Sequence, residues 1–116
     1  MKFKEIIGGN ESTIKEKFPW LLEADIENAV VDVSMTYLVW KNGIWKGGTW
    51  ESGTWEGGAW KNGTWKDGLW KRGIWEDGLW EDGTWKRGNM WSNILQKYIR
   101  IKGFEDGKFI EVKLNI

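Results

Sequence analysis

The sequence predicts an all-β repeat solenoid, and three observations carry that prediction. Tryptophan recurs at every fifth position from Trp40 to Trp85, ten times in succession. Lys or Glu follows each of these tryptophans, and a glycine lies three residues after each, from Gly43 to Gly88. From Trp45 on, the residue before the tryptophan is Ile, Thr, Ala or Leu, a mostly β-forming set. Self-similarity at a fixed period marks a chain whose units bury their apolar faces on one another.

The period excludes a helix, because glycine in every unit costs about 1 kcal/mol against alanine each time. Within a unit such as Thr64-Trp65-Lys66, side chains alternate outward, inward, outward, as a short strand requires. The pairs Asn42-Gly43, Asn62-Gly63, Asp67-Gly68, Asp77-Gly78 and Asp82-Gly83 are turn signals.

Two β arrangements fit. In an antiparallel Trp-lined meander, each X-Gly pair is a two-residue type I′ turn and Trp60 faces Trp65 across strands. A strand turned this way at both ends needs an even number of residues, but the unit leaves three. Ser52, Arg72 and Arg87 also suit a left-handed turn position poorly.

In a solenoid, each unit forms one side of a coil and pairs in parallel with the next coil. A four-sided β-helix with five residues per side stacks Trp40, Trp60 and Trp80 on one side and Trp45, Trp65 and Trp85 on the next. The glycine two before each tryptophan from Trp45 to Trp85 then also faces inward. The largest residue alternates with the smallest, so indoles fit at ordinary packing density. Trp40, Trp45, Trp50, Trp55, Trp60, Trp65, Trp70, Trp75, Trp80 and Trp85 are all core in this reading.

The charges after tryptophan run K K E E K K K E E K from Lys41 to Lys86. At a spacing of ten, seven of eight pairs are opposite in sign; at twenty, only two of six are. Opposite pairs on adjacent strands, worth roughly 0.2–1 kcal/mol each, favour a ten-residue coil or an antiparallel sheet. A ten-residue coil has two-residue turns, too short to enclose facing indoles. The volume argument therefore decides for the wider coil.

The repeat resembles the pentapeptide-repeat family, right-handed four-sided β-helices with a bulky central residue and a small residue two before it. The resemblance covers about residues 25–95, with Trp in place of the family's Leu or Phe and Gly in place of its Ala. The run also resembles Trp-rich WxxGx repeat proteins of bacteriophage genomes, which implies a phage-encoded chain. A weaker likeness is to the Gly-x-Trp-x-Asn-Gly hairpin of MORN repeats, whose longer period is missing.

Three regions follow: an N-terminal cap over 1–24, the repeat over 25–95, and a hairpin over 96–116. Asn10 and Ser12 offer helix caps for 10–18, ahead of Pro19, and the short helix is expected to cover one coil end. Trp20, Leu21 and Leu22 are expected to pack over the first coil. Val30 and Met35 fall on the tryptophan phase, so 25–39 reads as degenerate first units. Asp106-Gly107 reads as a type I′ turn that pairs Phe104 with Phe109, Lys102 with Glu111, Ile101 with Val112 and Ile99 with Leu114.

Composition narrows function. The chain carries 17 basic and 17 acidic residues, a balance that argues against a general nucleic-acid binder. Cys and His are both absent, which removes the usual zinc ligands, catalytic thiols and the commonest general base. Gly8-Gly9 is followed by no Gly-Lys-Ser/Thr and is no phosphate loop. Glu76-Asp77 and Glu81-Asp82 lack calcium-loop spacing. No catalytic residue, metal or cofactor is expected. The start has no apolar signal core and no long apolar run follows, so no membrane span is expected and the reading is cytoplasmic, in the infected host, or virion.

What remains is a rigid, non-enzymatic module for a protein partner, with self-association through coil ends or the hairpin edge as a further expectation. Candidate surface residues are Lys71, Arg72, Lys86 and Arg87 as a basic patch, with Trp20 and Trp91, which break the phase, as exposed aromatics. The alternative is capture of a carbohydrate, nucleotide or single strand by exposed tryptophans.

Overall fold

A computed structural model describes residues 1–112. The chain begins with β1 (Phe3–Ile7), α1 (Glu11–Lys17), α2 (Pro19–Glu23) and β2 (Asp25–Asp32), then β3 (Val39–Gly47), which opens the repeat. Eight two-residue strands follow, each a tryptophan and the residue before it: β4 (Thr49–Trp50), β5 (Thr54–Trp55), β6 (Ala59–Trp60), β7 (Thr64–Trp65), β8 (Leu69–Trp70), β9 (Ile74–Trp75), β10 (Leu79–Trp80) and β11 (Thr84–Trp85). The chain closes with β12 (Gly88–Ser92), β13 (Lys97–Glu105) and β14 (Lys108–Glu111).

The repeat is a β-solenoid with five residues per side and tryptophan inward, and each coil has three sides rather than the expected four. Trp40 pairs with Trp55, Trp55 with Trp70, and Trp70 with Trp85, always in parallel and always fifteen residues apart. The second side stacks Trp45, Trp60, Trp75 and Met90. The third stacks Trp50, Trp65 and Trp80. Each side holds two ladder bonds per coil, such as Thr64 N–H to Gly48 C=O at 2.9 Å and Lys66 N–H to Trp50 C=O at 2.9 Å. The meander alternative does not occur in the repeat.

Indole geometry explains why three sides close. Successive indoles along the chain meet edge to face, 5.7–5.9 Å apart. Within the first coil Trp40 also reaches Trp50 at 6.4 Å, so the three rings meet pairwise. Along each side the rings lie nearly parallel, 4.8–5.0 Å apart and tilted by 4–7°. That separation is the strand spacing of a sheet, so backbone pairing itself sets the offset stack. All ten repeat tryptophans are buried.

The glycine makes the corner. From Gly43 to Gly88 its φ runs from 100° to 140°, closed to other residues at low cost. A Cβ on Gly78 would stand 2.2 Å from the carbonyl oxygen of Gly63, one coil below. Glycine is thus required mainly because backbone stacks on backbone at the corners, and less for the room it leaves to indoles.

Both ends are capped. Asn10 caps α1 with a reciprocal capping box, and Pro19 opens α2, matching the expected helix. Leu21 is fully buried and Trp20 sits 5.2 Å from Trp50. Residues 25–39 do not form degenerate coils. β2 runs antiparallel to β3 across two sides of the first coil, from Asp25↔Gly47 to Asp32↔Val39, and Met35 is exposed. β1, which had no counterpart in the expectations, lies parallel to β2.

At the other end, β12 is both the last rung of the second side and a partner of β13. The hairpin β13–β14 turns at Asp106 (φ 53°) and Gly107 (φ 76°), and Phe104 pairs with Phe109 as expected. A bulge between Ile101 and Gly103 then shifts the pairing, so Ile101 faces Glu111, not Val112. The Ile99–Leu114 pair lies outside the described residues. Phe109 packs 5.4 Å from Trp80 and 5.3 Å from Trp85, which closes the column of indoles.

Candidate interaction surface

A coil of fifteen residues decides which surface residues meet. Lys71-Arg72 and Lys86-Arg87 are one coil apart, on adjacent strands of the first side and its following corner. All four are exposed. Glu76-Asp77, between them in sequence, belongs to the second side, and Glu81-Asp82 to the third. The acidic pairs that dilute the basic ones in sequence are therefore carried to other faces.

Glu56 sits one coil below Lys71 and anchors this edge. Its carboxylate lies 3.6 Å from Lys41 and 3.5 Å from Lys71. Its backbone carbonyl accepts from Arg72 Nε at 3.2 Å. Arg87 lines the same shallow hollow as Glu56, Lys71 and Arg72. Five cations, Lys41, Lys71, Arg72, Lys86 and Arg87, thus share an edge with the Glu56 carboxylate. Beside it, along the corner to the second side, runs an open groove of about 770 Å³. Its floor is the glycine backbone of the corner, its apolar wall is Val30, Ile44, Ala59 and Ile74, and Lys4 and Arg72 border it.

The two tryptophans outside the repeat phase differ. Trp20 is half-buried between Phe18, Trp45 and Trp50 and belongs to the cap. Its break in the repeat phase suggested an exposed ring, but α2 lays it on the first coil, where Trp20 was also expected to pack with Leu21 and Leu22. Trp91 stands on the outside of β12, directly after the inward Met90. Its indole N–H donates to Asn93 Oδ1 at 2.9 Å. Tyr98, its partner across β12 and β13, packs edge to face at 5.0 Å. The Tyr98 hydroxyl donates to Glu76 at 2.8 Å, and that bond, beside burial and the nearby charge, holds its pKa above the ordinary phenol value. Tyr98 was not singled out from the sequence, since only strand pairing brings it to Trp91.

Elsewhere, Lys46 bonds Glu27 at 2.9 Å and lowers that carboxyl's pKa while its own is raised. Ser34 donates to Asp32 through hydroxyl and backbone and lowers its pKa. Among the described residues, no group of three acidic side chains is placed to hold a metal ion, and no helix is long and apolar enough to cross a membrane. No protein-family model, curated protein or solved structure matches the chain.

Proposed function

We propose that this protein is a non-enzymatic, rigid interaction module that binds a protein partner along the first corner of the solenoid. The observation that carries the reading is the convergence of Lys71, Arg72, Lys86 and Arg87 beside the apolar wall of Ile44, Ala59 and Ile74. An apolar strip rimmed by charge is the anatomy of a protein interface, and arginine is favoured in such sites. The complement is a segment that alternates acidic and apolar side chains. The stacked interior supports this reading, because a stiff surface loses little conformational entropy on binding. The buried indoles count against a ligand platform made of the repeat tryptophans. The likeness to Trp-rich phage repeats suggests an accessory or virion-associated component encoded by a phage.

The test compares partners recovered by the native protein and by the double variant Arg72→Glu, Arg87→Glu. The native protein should retain a partner with an acidic segment, bound more weakly as salt rises. The variant should stay folded, with a slightly lower unfolding temperature from the lost Arg72–Glu56 bond, and lose it. Retention of every partner by the folded variant, or turnover of a substrate by the purified protein, rejects the reading.

A further inference from the structure

A second surface feature stands apart from the basic edge. Lys61, Glu76, Asp77, Trp91, Asn93 and Tyr98 line a cleft of about 390 Å³ on the second side of the solenoid. Lys61 comes from one coil and Glu76 and Asp77 from the next, and the others from β12, β13 and the turn between them. The volume is within the roughly 300–1,000 Å³ of small-ligand sites.

The aromatic pair is fixed from both ends. Trp91 is tied through its N–H to Asn93, Tyr98 through its hydroxyl to Glu76, and the rings lock edge to face. An edge-to-face pair covers one face of one ring only, Trp91 is half-buried and Tyr98 exposed, and such rigid rings lose little rotamer freedom when a ligand arrives. Around them stand an ammonium, two carboxylates and an amide, which together offer donors and acceptors in one hollow. One oxygen of Asp77 already holds the Gly78 N–H at 2.8 Å, which fixes that carboxylate as well.

We infer that this cleft is a binding site for a neutral saccharide. A pyranose ring presents a face of C–H bonds that stacks on an aromatic ring. Its edge of hydroxyls both donates and accepts, which matches carboxylate, amide and ammonium together. Charge separates this ligand from its rivals. Lys61 carries one positive charge against the two negative ones of Glu76 and Asp77, so a phosphate or sulfate group is repelled. A purely apolar ligand would strip water from three charged groups without replacing their hydrogen bonds. A polyol does replace them.

The site differs from the basic edge and is testable without it. Side-chain indole N–H resonances of the full chain are followed while neutral oligosaccharides of glucose, mannose and N-acetylglucosamine are added at millimolar concentrations. One resonance should move, the one missing in Trp91→Phe, while the buried repeat indoles stay still. Trp91→Ala should weaken the response at least about tenfold. Lys61→Ala, an exposed change that leaves unfolding unaltered, should weaken it several-fold even if Trp91→Ala does not fold. Arg72→Glu should leave it unchanged. The inference is overturned if none of these sugars moves Trp91, if a sugar phosphate binds more tightly than its neutral parent, or if Lys61→Ala binds as the native protein does.

Discussion

A corner glycine and the indole beside it show most clearly how single residues bear on this fold. Gly78 adopts φ 121° and its missing Cβ would meet the Gly63 carbonyl, so both backbone strain and a contact with rigid backbone oppose a side chain. Gly78→Ala should destabilise by about 2 kcal/mol or more, combining the left-handed penalty with the clash. Gly47 is the internal control: nothing lies within 4 Å of its would-be Cβ and its φ is not positive. Gly47→Ala should be neutral or stabilise by up to about 1 kcal/mol. Urea unfolding of the two variants tests the pair, and equal losses would contradict the corner argument. The indoles carry a second contrast. Trp60 Nε1 donates to the Asp77 carbonyl at 3.1 Å, whereas Trp65 Nε1 is buried without a partner among the described residues. Both rings are fully buried in the same stacked setting. Trp60→Phe should therefore cost more than Trp65→Phe by roughly 0.5–1.5 kcal/mol, the net worth of one hydrogen bond.

At the level of the strand, two residues are too few to be stable alone, and each rung exists only through its neighbours. Trp65 stacks on Trp50 and Trp80 and meets Trp60 and Trp70 edge to face. Trp65→Ala should cost about 3–5 kcal/mol and expose amides of all three sides to hydrogen exchange, since the cavity sits in the middle of the column. Between rungs, charges add a smaller effect. At a spacing of fifteen, five of the seven charge pairs that follow tryptophan are opposite in sign. Glu56 is flanked by Lys41 and Lys71, so Glu56→Lys should destabilise by about 1 kcal/mol, less at high salt. Glu27 and Lys46 tie β2 to β3. Because the folded pKa of Glu27 lies below the ordinary 4.5, its contribution is present above that value and is lost as pH falls through the folded one. The stability gap between the native protein and Glu27→Gln should therefore persist at neutral pH and close in acid.

For the molecule as a whole, ten of the twelve tryptophans share one buried column, with Trp20 against its end and Trp91 outside. Emission should be blue-shifted and poorly quenched by iodide, with the residual quenching coming from the half-buried Trp20 and Trp91 and reduced by Trp91→Phe. Red-shifted emission in the folded protein would contradict the buried column. The alternation of Trp and Gly, the strand at each tryptophan, the capped helix near Asn10 and the turn at Asp106-Gly107 were all legible in the sequence. Each depends on residues within about five positions, where local sterics and capping decide. Tertiary structure alone decided that three sides make a coil. That depends on how many indoles close around an axis and how sharply a glycine corner bends, and no single unit encodes either. The charge pattern, set aside for the volume argument that favoured four sides, could not decide either: pairs ten apart are mostly opposite, but so are pairs fifteen apart, and only the closed ring selects between them. Once the coil is fifteen residues long, Lys71-Arg72 meets Lys86-Arg87 and Lys61, Glu76 and Trp91 share a cleft. The sequence by itself determined what faces inward; the closure of three indoles around one axis decided which outward residues became neighbours.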